Sequence, residues 1–289
     1  MSGWSLPCPK RSPDSPPGHG PRGAIIPRLI APLLFAMLFA CTGGTGERPF
    51  VPAVERKIQG IPVLERLSPN FDERKLPVTM LVLHYTGMPD AQSAIDWLAN
   101  PESKVSAHYV VTEDGQIVHM VPEEKRAWHA GRSYWRGISD INSASIGIEI
   151  VNPGHEWGYR AFPQAQMEAL IPLVHDIVTR YGITRGNIVG HSDVAPERKQ
   201  DPGELFPWAT LARLRLALPR PTRYLMDPLW SDGAFLLALE RFGYDIKEPE
   251  AAVRAFQRRF RPEMIDGIID GECRAILLAL LLPKPQGDG

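Results

Sequence analysis

At 289 residues the chain allows one large domain or two modest ones, and a hydrophobic fraction of 44% excludes wholesale disorder. Lys+Arg 32 against Asp+Glu 33 leaves a formal charge of −1, without the basic excess that a nucleic-acid partner asks for. The three cysteines, Cys8, Cys41 and Cys273, show no CxxC or paired spacing, which argues against a disulfide framework.

Residues 5–28 are rich in proline and glycine and carry Lys10, Arg11, Arg22 and Arg28. The apolar run 29–40, broken by Pro32, is too short to span a bilayer but suits the hydrophobic region of an export signal. It ends in Leu38-Phe39-Ala40-Cys41, which resembles a bacterial lipobox and implies lipidation of Cys41. Thr42 rather than aspartate follows the cysteine, so the expected location is the outer membrane, facing the periplasm, with a soluble periplasmic protein as the alternative.

Residues 42–46 read as a tether, and 47–77 are proline-punctuated and predicted to be extended. The apolar run 78–86 predicts a strand buried on both faces and central in a sheet. Asp90 is placed to cap a short helix with Ala94, Ile95, Trp97 and Leu98 on its apolar face. Segments 107–112 and 116–121 flank Glu113-Asp114-Gly115 and predict a hairpin carrying His108 and His119. In 145–151, Ile146, Ile148 and Ile150 share one strand face, while Glu149 and Gly147 lie on the other.

Apolar residues at 167, 170, 171, 174, 177 and 178 predict a helix over 164–181, kinked or shortened at Pro172 and ended by Gly182. A strand at 188–190 and an amphipathic helix over 207–218 follow. Strands interleaved with helices predict an α/β fold, a mixed central sheet flanked by helices. Pro219-Arg220-Pro221 marks a boundary, and helical patterns around 232–242, 250–260 and 271–282 predict a small three-helix C-terminal domain.

Candidate chemistry concentrates in H-S-D-V-A-P-E-R-K-Q-D (191–201), which places His191, Lys199 and Asp201 in one loop after a strand. Imidazole and carboxylate are ordinary zinc ligands, and a catalytic zinc takes three protein ligands, leaving a fourth position for water. His84, closing the apolar run 80–83, is the best candidate to complete the set. A carboxylate in a buried strand needs a cation, a metal or water, which singles out Glu149. Its other reading is an edge-strand glutamate in solvent.

The motifs L-H-Y-T-G (83–87), S-A-H-Y (106–109), A-W-H-A-G (127–131), S-I-G-I-E (145–149) and G-H-S-D-V-A-P-E-R-K-Q-D-P-G (190–203) occur in that order. Together they resemble the zinc-dependent N-acetylmuramoyl-L-alanine amidases of type 2. That family includes cytoplasmic anhydro-muropeptide amidases and outer-membrane lipoprotein amidases, and is related to peptidoglycan recognition proteins. The resemblance implies one Zn2+ on His84, His191 and Asp201, with Glu149 and Lys199 as the catalytic pair. It implies hydrolysis of the amide between N-acetylmuramic acid and L-alanine in peptidoglycan or muropeptides, by a monomer whose partners are the glycan-peptide polymer and a membrane reached through the lipid anchor. Trp128, His129 and Asn152 are the candidate substrate-binding residues; a packing role for His129 is the alternative. His108 is expected near the site but off the metal, and His119 in a structural role. The C-terminal helices resemble a peptidoglycan-binding module. The expected division is 1–46 signal, lipobox and tether, 47–218 catalytic domain, and 219–289 linker and helical module. Two rival readings are a recognition protein that binds without cutting and an amidase restricted to anhydro-muropeptides.

Overall fold

Alternation of side chains along short apolar strands sets the architecture. A computed structural model of the chain describes residues 56–222 and 226–282. The signal-like run, Cys41 and the tether lie outside the described residues. In chain order the strands are β1 (Lys57–Ile58), β2 (Ile61–Glu65), β3 (Phe71–Glu73), β4 (Met80–Tyr85), β5 (Tyr109–Val111), β6 (Ile117–His119), β7 (Lys125–Ala127), β8 (Ser145–Ile150) and β9 (Ile188–Gly190). The helices are α1 (Ala91–Ala99), α2 (Ile141–Ala144), α3 (Gly154–Trp157), α4 (Gln164–Tyr181), α5 (His191–Val194), α6 (Trp208–Arg213), α7 (Asp232–Phe242), α8 (Pro249–Phe260) and α9 (Gly271–Leu281).

Seven strands form one mixed sheet in the order β1-β2-β6-β5-β8-β4-β9, with β3 and β7 in a separate pair. The expected hairpin is β5–β6, antiparallel, with Gly115 in its turn at φ +88°. Strands β8, β4 and β9 run parallel, and their register sets His84 opposite Glu149 and Leu83 opposite Gly190. Three chemistry-bearing positions therefore meet at the C-terminal ends of adjacent parallel strands.

Each face of this sheet has its own core. On one face Leu81, Leu83, Ile146, Ile148 and Ile150 pack under α4 with Leu170, Leu173, Val174 and Ile177. Helix α4 runs unbroken through Pro172 and ends at Gly182, φ +63°. Proline removes the bond to the carbonyl four residues back, here that of Glu168, an exposed residue where water can take its place. Helix α6 is shorter than expected and stops at Arg213, ahead of Arg215 in the left-handed region at φ +62°. Three short strands, β1 to β3, stand where the sequence showed only an extended stretch.

On the other face Met80, Val82 and Val189 pack with Ile141 and Ala144 of α2, and with Phe235, Leu239, Phe242, Tyr244, Phe256, Phe260 and Ile276 of the C-terminal region. Helices α7, α8 and α9 match the three expected segments to within a residue. The expected boundary at 219–221 does not separate them from the sheet: the described residues on either side of it belong to one compact unit and share a core. The reason is geometric, because these helices supply the layer that covers one face of β4 and β9. Burial of side chains of the Val, Leu or Met class is worth about 1.5–3 kcal/mol each. A chain ending at Leu218 would uncover Met80, Val82 and Val189 together, and is expected to lose cooperative unfolding in a calorimetric scan. An unchanged transition in the shortened chain would show that the helices are separable.

Candidate metal centre and active site

His84 at the end of β4, His191 at the start of α5 and Asp201 in the following loop are all buried. His84 Nδ1 lies 2.9 Å from His191 Nδ1 and 3.1 Å from Asp201 Oδ2, and His191 Nδ1 lies 3.1 Å from the same oxygen. Among the described residues they are the one group of three or more such side chains able to hold a metal ion. Burial, reinforced by the neighbouring His191, lowers the pKa of His84 to about 4, so its ring is neutral near pH 7. Burial alone would raise Asp201, but a proton held on the His191 or His84 side would outweigh it through its charge and hydrogen bond and hold this carboxyl well below the usual range.

The outward nitrogens fix the tautomers. His191 Nε2 lies 3.1 Å from Ala130 O, a partner that can only accept, so its proton points outward and the Nδ1 lone pair inward. His84 Nε2 lies 3.1 Å from His129 Nδ1, and His129 Nε2 lies 3.3 Å from Ser145 Oγ, whose hydroxyl donates to Ile141 O at 2.5 Å. That terminal acceptor gives the relay one direction, Ser145 to Ile141, His129 to Ser145 and His84 to His129. Three lone pairs then face one another across 2.9–3.1 Å, which is repulsive without a positive charge between them. A tetrahedral zinc with bonds near 2.0–2.1 Å separates its ligands by about 3.3 Å, so the donor set fits the ion.

Glu149, on the cleft face of β8, has a buried Oε2 with no hydrogen-bond partner among the described residues. Burial raises its pKa well above the ordinary carboxylate value; Asp201 adds to the rise and Lys199 opposes it. Lys199 lines the same cleft, a cavity of about 400 Å³. Arg198 is tied down instead, its guanidinium donating to the carbonyls of Ala130 and Arg132 and so fastening the loop of Asp201 to that of His129. A larger hollow of about 950 Å³ beside Arg136 and Leu237 contains none of the three clustered ligands, so the chemistry belongs to the smaller one.

The expected substrate-binding residues divide. Trp128 lines the cleft and is held by an Nε1–H donated to Asp72 at 2.8 Å. His129 also borders it, but is buried against His84, so its packing reading is the one the geometry carries. Asn152 does not line the cleft. Its even position falls on the face opposite Glu149, and its amide donates to Arg160 O at 2.8 Å while its side-chain oxygen accepts from Gly154 N. His108 accepts from Gly147 N at 2.9 Å and stays off the ligand cluster, and His119 pairs with Glu65. Trp97, expected on the apolar face of α1, is 48% exposed and forms a cleft wall. Its helical spacing alone could not separate it from buried Ala94 and Leu98.

A metal held by His84 would feel His129 through that ring. Losing such an outer partner typically weakens metal binding about 10- to 100-fold, which is the loss expected for His129→Ala in a chelator competition. A Cβ at Gly147 would sit 2.5 Å from His129 Cγ, so Gly147→Ala should weaken zinc in the same direction by displacing the ring.

A model of the N-acetylmuramoyl-L-alanine amidase family matches residues 74–204. The N-acetylmuramoyl-L-alanine amidase AmiD of Escherichia coli (strain K12) is 41% identical over 232 residues, which are 71% of this chain and 82% of AmiD. The 1,6-anhydro-N-acetylmuramyl-L-alanine amidase AmpD of Citrobacter freundii is 35% identical over 167 residues, 51% of this chain and 87% of AmpD. The solved complex of E. coli AmiD with the substrate anhydro-N-acetylmuramic acid-L-Ala-D-gamma-Glu-L-Lys superposes with a TM-score of 0.65 at 37% identity, covering 71% of this chain and 88% of that one. With its ligand cluster, cleft and sheet order, the chain belongs to the N-acetylmuramoyl-L-alanine amidase family.

Proposed function

We propose that this amidase hydrolyses the bond between N-acetylmuramic acid and L-alanine with one zinc ion held by His84, His191 and Asp201. The observation that carries this reading is the buried cluster of His84, His191 and Asp201 in one cleft with Glu149, whose Oε2 has no hydrogen-bond partner among the described residues. Zinc, when bound, supplies Lewis acidity that polarises the scissile carbonyl and acidifies water. Glu149 orients the attacking water, takes its proton and delivers it to the leaving amine nitrogen. Lys199, a cation on the cleft wall, offsets the negative charge that develops on the carbonyl oxygen. Trp128 and Trp97 offer flat apolar surfaces for the sugar. The names of AmiD's bound substrate and of AmpD support anhydro-muropeptides among the substrates. All three ligand positions are filled, which disfavours a protein that binds without cutting.

The mature chain, in this reading, is a monomer anchored through lipidated Cys41 at the outer membrane and facing the periplasm. The C-terminal helices add a second contact with polymeric peptidoglycan, raising the effective concentration of stems at the cleft. Intact-mass measurement and membrane fractionation of wild type and Cys41→Ser check the anchor. The wild type is expected to carry added acyl mass and partition with membranes, and the variant to do neither.

His191→Ala should lose bound zinc and turnover together. Lys199→Ala should keep zinc and lose about 100- to 1000-fold in kcat, the usual cost of removing an oxyanion-stabilising donor. Glu149→Gln should also keep zinc while losing turnover, and it carries a second signature. The folded-state pKa of Glu149 lies above its unfolded value. Its stabilising contribution is therefore complete below the ordinary carboxylate range and is lost as pH rises through the raised value. As pH rises through that raised value the metal-free wild type gains a poorly solvated carboxylate that glutamine removes. The Tm difference between metal-free Glu149→Gln and wild type should then move in favour of the variant with rising pH, by about 1 kcal/mol or roughly 2–4 °C. A difference that does not change with pH would contradict this account of Glu149.

A further inference from the structure

Strand β9, which leads into His191, is an edge strand paired only with β4. Its outer side is secured by the C-terminal region instead. Arg259 of α8 lies over the Trp208 ring and donates to Ile188 O at 3.3 Å. Tyr244, which follows the Gly243 cap of α7, is fully buried and donates its hydroxyl to Asp193 Oδ1 at 2.6 Å. The other oxygen of Asp193 accepts the backbone N–H of Gly190 at 2.8 Å. A single buried carboxylate thus bridges the C-terminal helices to the residue immediately before His191. One residue further on, Ser192 N donates to Asp201 O at 2.8 Å, so the same segment also holds the backbone of the second ligand.

We propose that the C-terminal helices set the position of His191 and Asp201 through the Tyr244–Asp193–Gly190 bridge, with Tyr244 a positioning residue for the metal centre. This rests on the reading of His191 and Asp201 as zinc ligands. The bridge is local and directional. The Tyr244 ring packs against Trp135, Phe242 and Phe256 at centroid distances of 5.0, 6.2 and 6.3 Å, contacts that a phenylalanine keeps. Only the hydroxyl reaches Asp193, so its loss leaves a buried carboxylate oxygen without that partner and loosens the hold on Gly190.

The experiment is zinc affinity of the full chain by competition with a chromogenic chelator, beside thermal unfolding of the metal-free protein. Tyr244→Phe should bind zinc about 10- to 100-fold more weakly, the size typical of lost outer-shell support. Phe235→Leu, in the same core but placed against Phe256 rather than Asp193, should lower Tm and leave zinc affinity unchanged. Asp193→Ala, which removes both acceptor oxygens, should repeat the Tyr244→Phe result and serves if that variant does not fold. Wild-type zinc affinity in either folded bridge variant overturns the proposal. So does equal weakening in Phe235→Leu, which would make the effect one of general stability. His191→Ala separates the two levels: if it retains zinc, the ligand reading fails, whereas loss there with retention in Tyr244→Phe fails the bridge alone.

Discussion

Parallel pairing of β8, β4 and β9 is the constraint on which the site depends. Parallel strands in register turn opposed side chains to the same face, so pairing His84 with Glu149 brings a ligand and a carboxylate together without any loop. Pairing Leu83 with Gly190 carries the next residue, His191, to the same level. A slip of one residue in β8 would send Glu149 into the core under α4 and bring isoleucine to the cleft. The isoleucines that pack under α4 therefore also guard the register of the catalytic face.

The site is assembled against the preferences of its own groups. A carboxylate whose buried Oε2 has no hydrogen-bond partner among the described residues, and three facing lone pairs, each cost free energy in the metal-free chain. What holds them in place is the surrounding scaffold: the His84–His129–Ser145 relay, the clasp of Arg198 on two carbonyls, and the close fit of Gly147 against the His129 ring. A bound cation relieves the strain, because it attracts every group that the apo arrangement sets in opposition.

Much of this was legible in the sequence, for particular reasons. Short apolar runs ending in His84 and Glu149, the capped helix at Asp90 and the Gly182 stop are local signals, and the structure follows each of them. His191 and Asp201 lie in one contiguous motif, so their pairing needed no long-range information. Residues whose roles depend on partners distant in sequence were harder. Nothing local marks Trp97 as a cleft wall or Arg198 as a clasp. Asn152 follows the last residue of β8, and no local signal says which way a side chain in the loop beyond Ile150 will turn. The boundary at 219–221 was misleading because proline marks a turn in the chain and carries no information about whether the segments on either side share a core.

That shared core changes what the C-terminal helices are for. A module joined only by a linker acts through effective concentration and is thermodynamically silent at the catalytic centre. A layer that covers Met80, Val82 and Val189, and ends in a buried hydroxyl beside the metal loop, is coupled to that centre. Coupling of this kind is reciprocal, because a metal that favours one position of His191 must also favour the docked position of Tyr244. Zinc binding and the docking of the helices then stabilise each other. Any contact those helices make with polymer would be felt at the cleft through the same bridge.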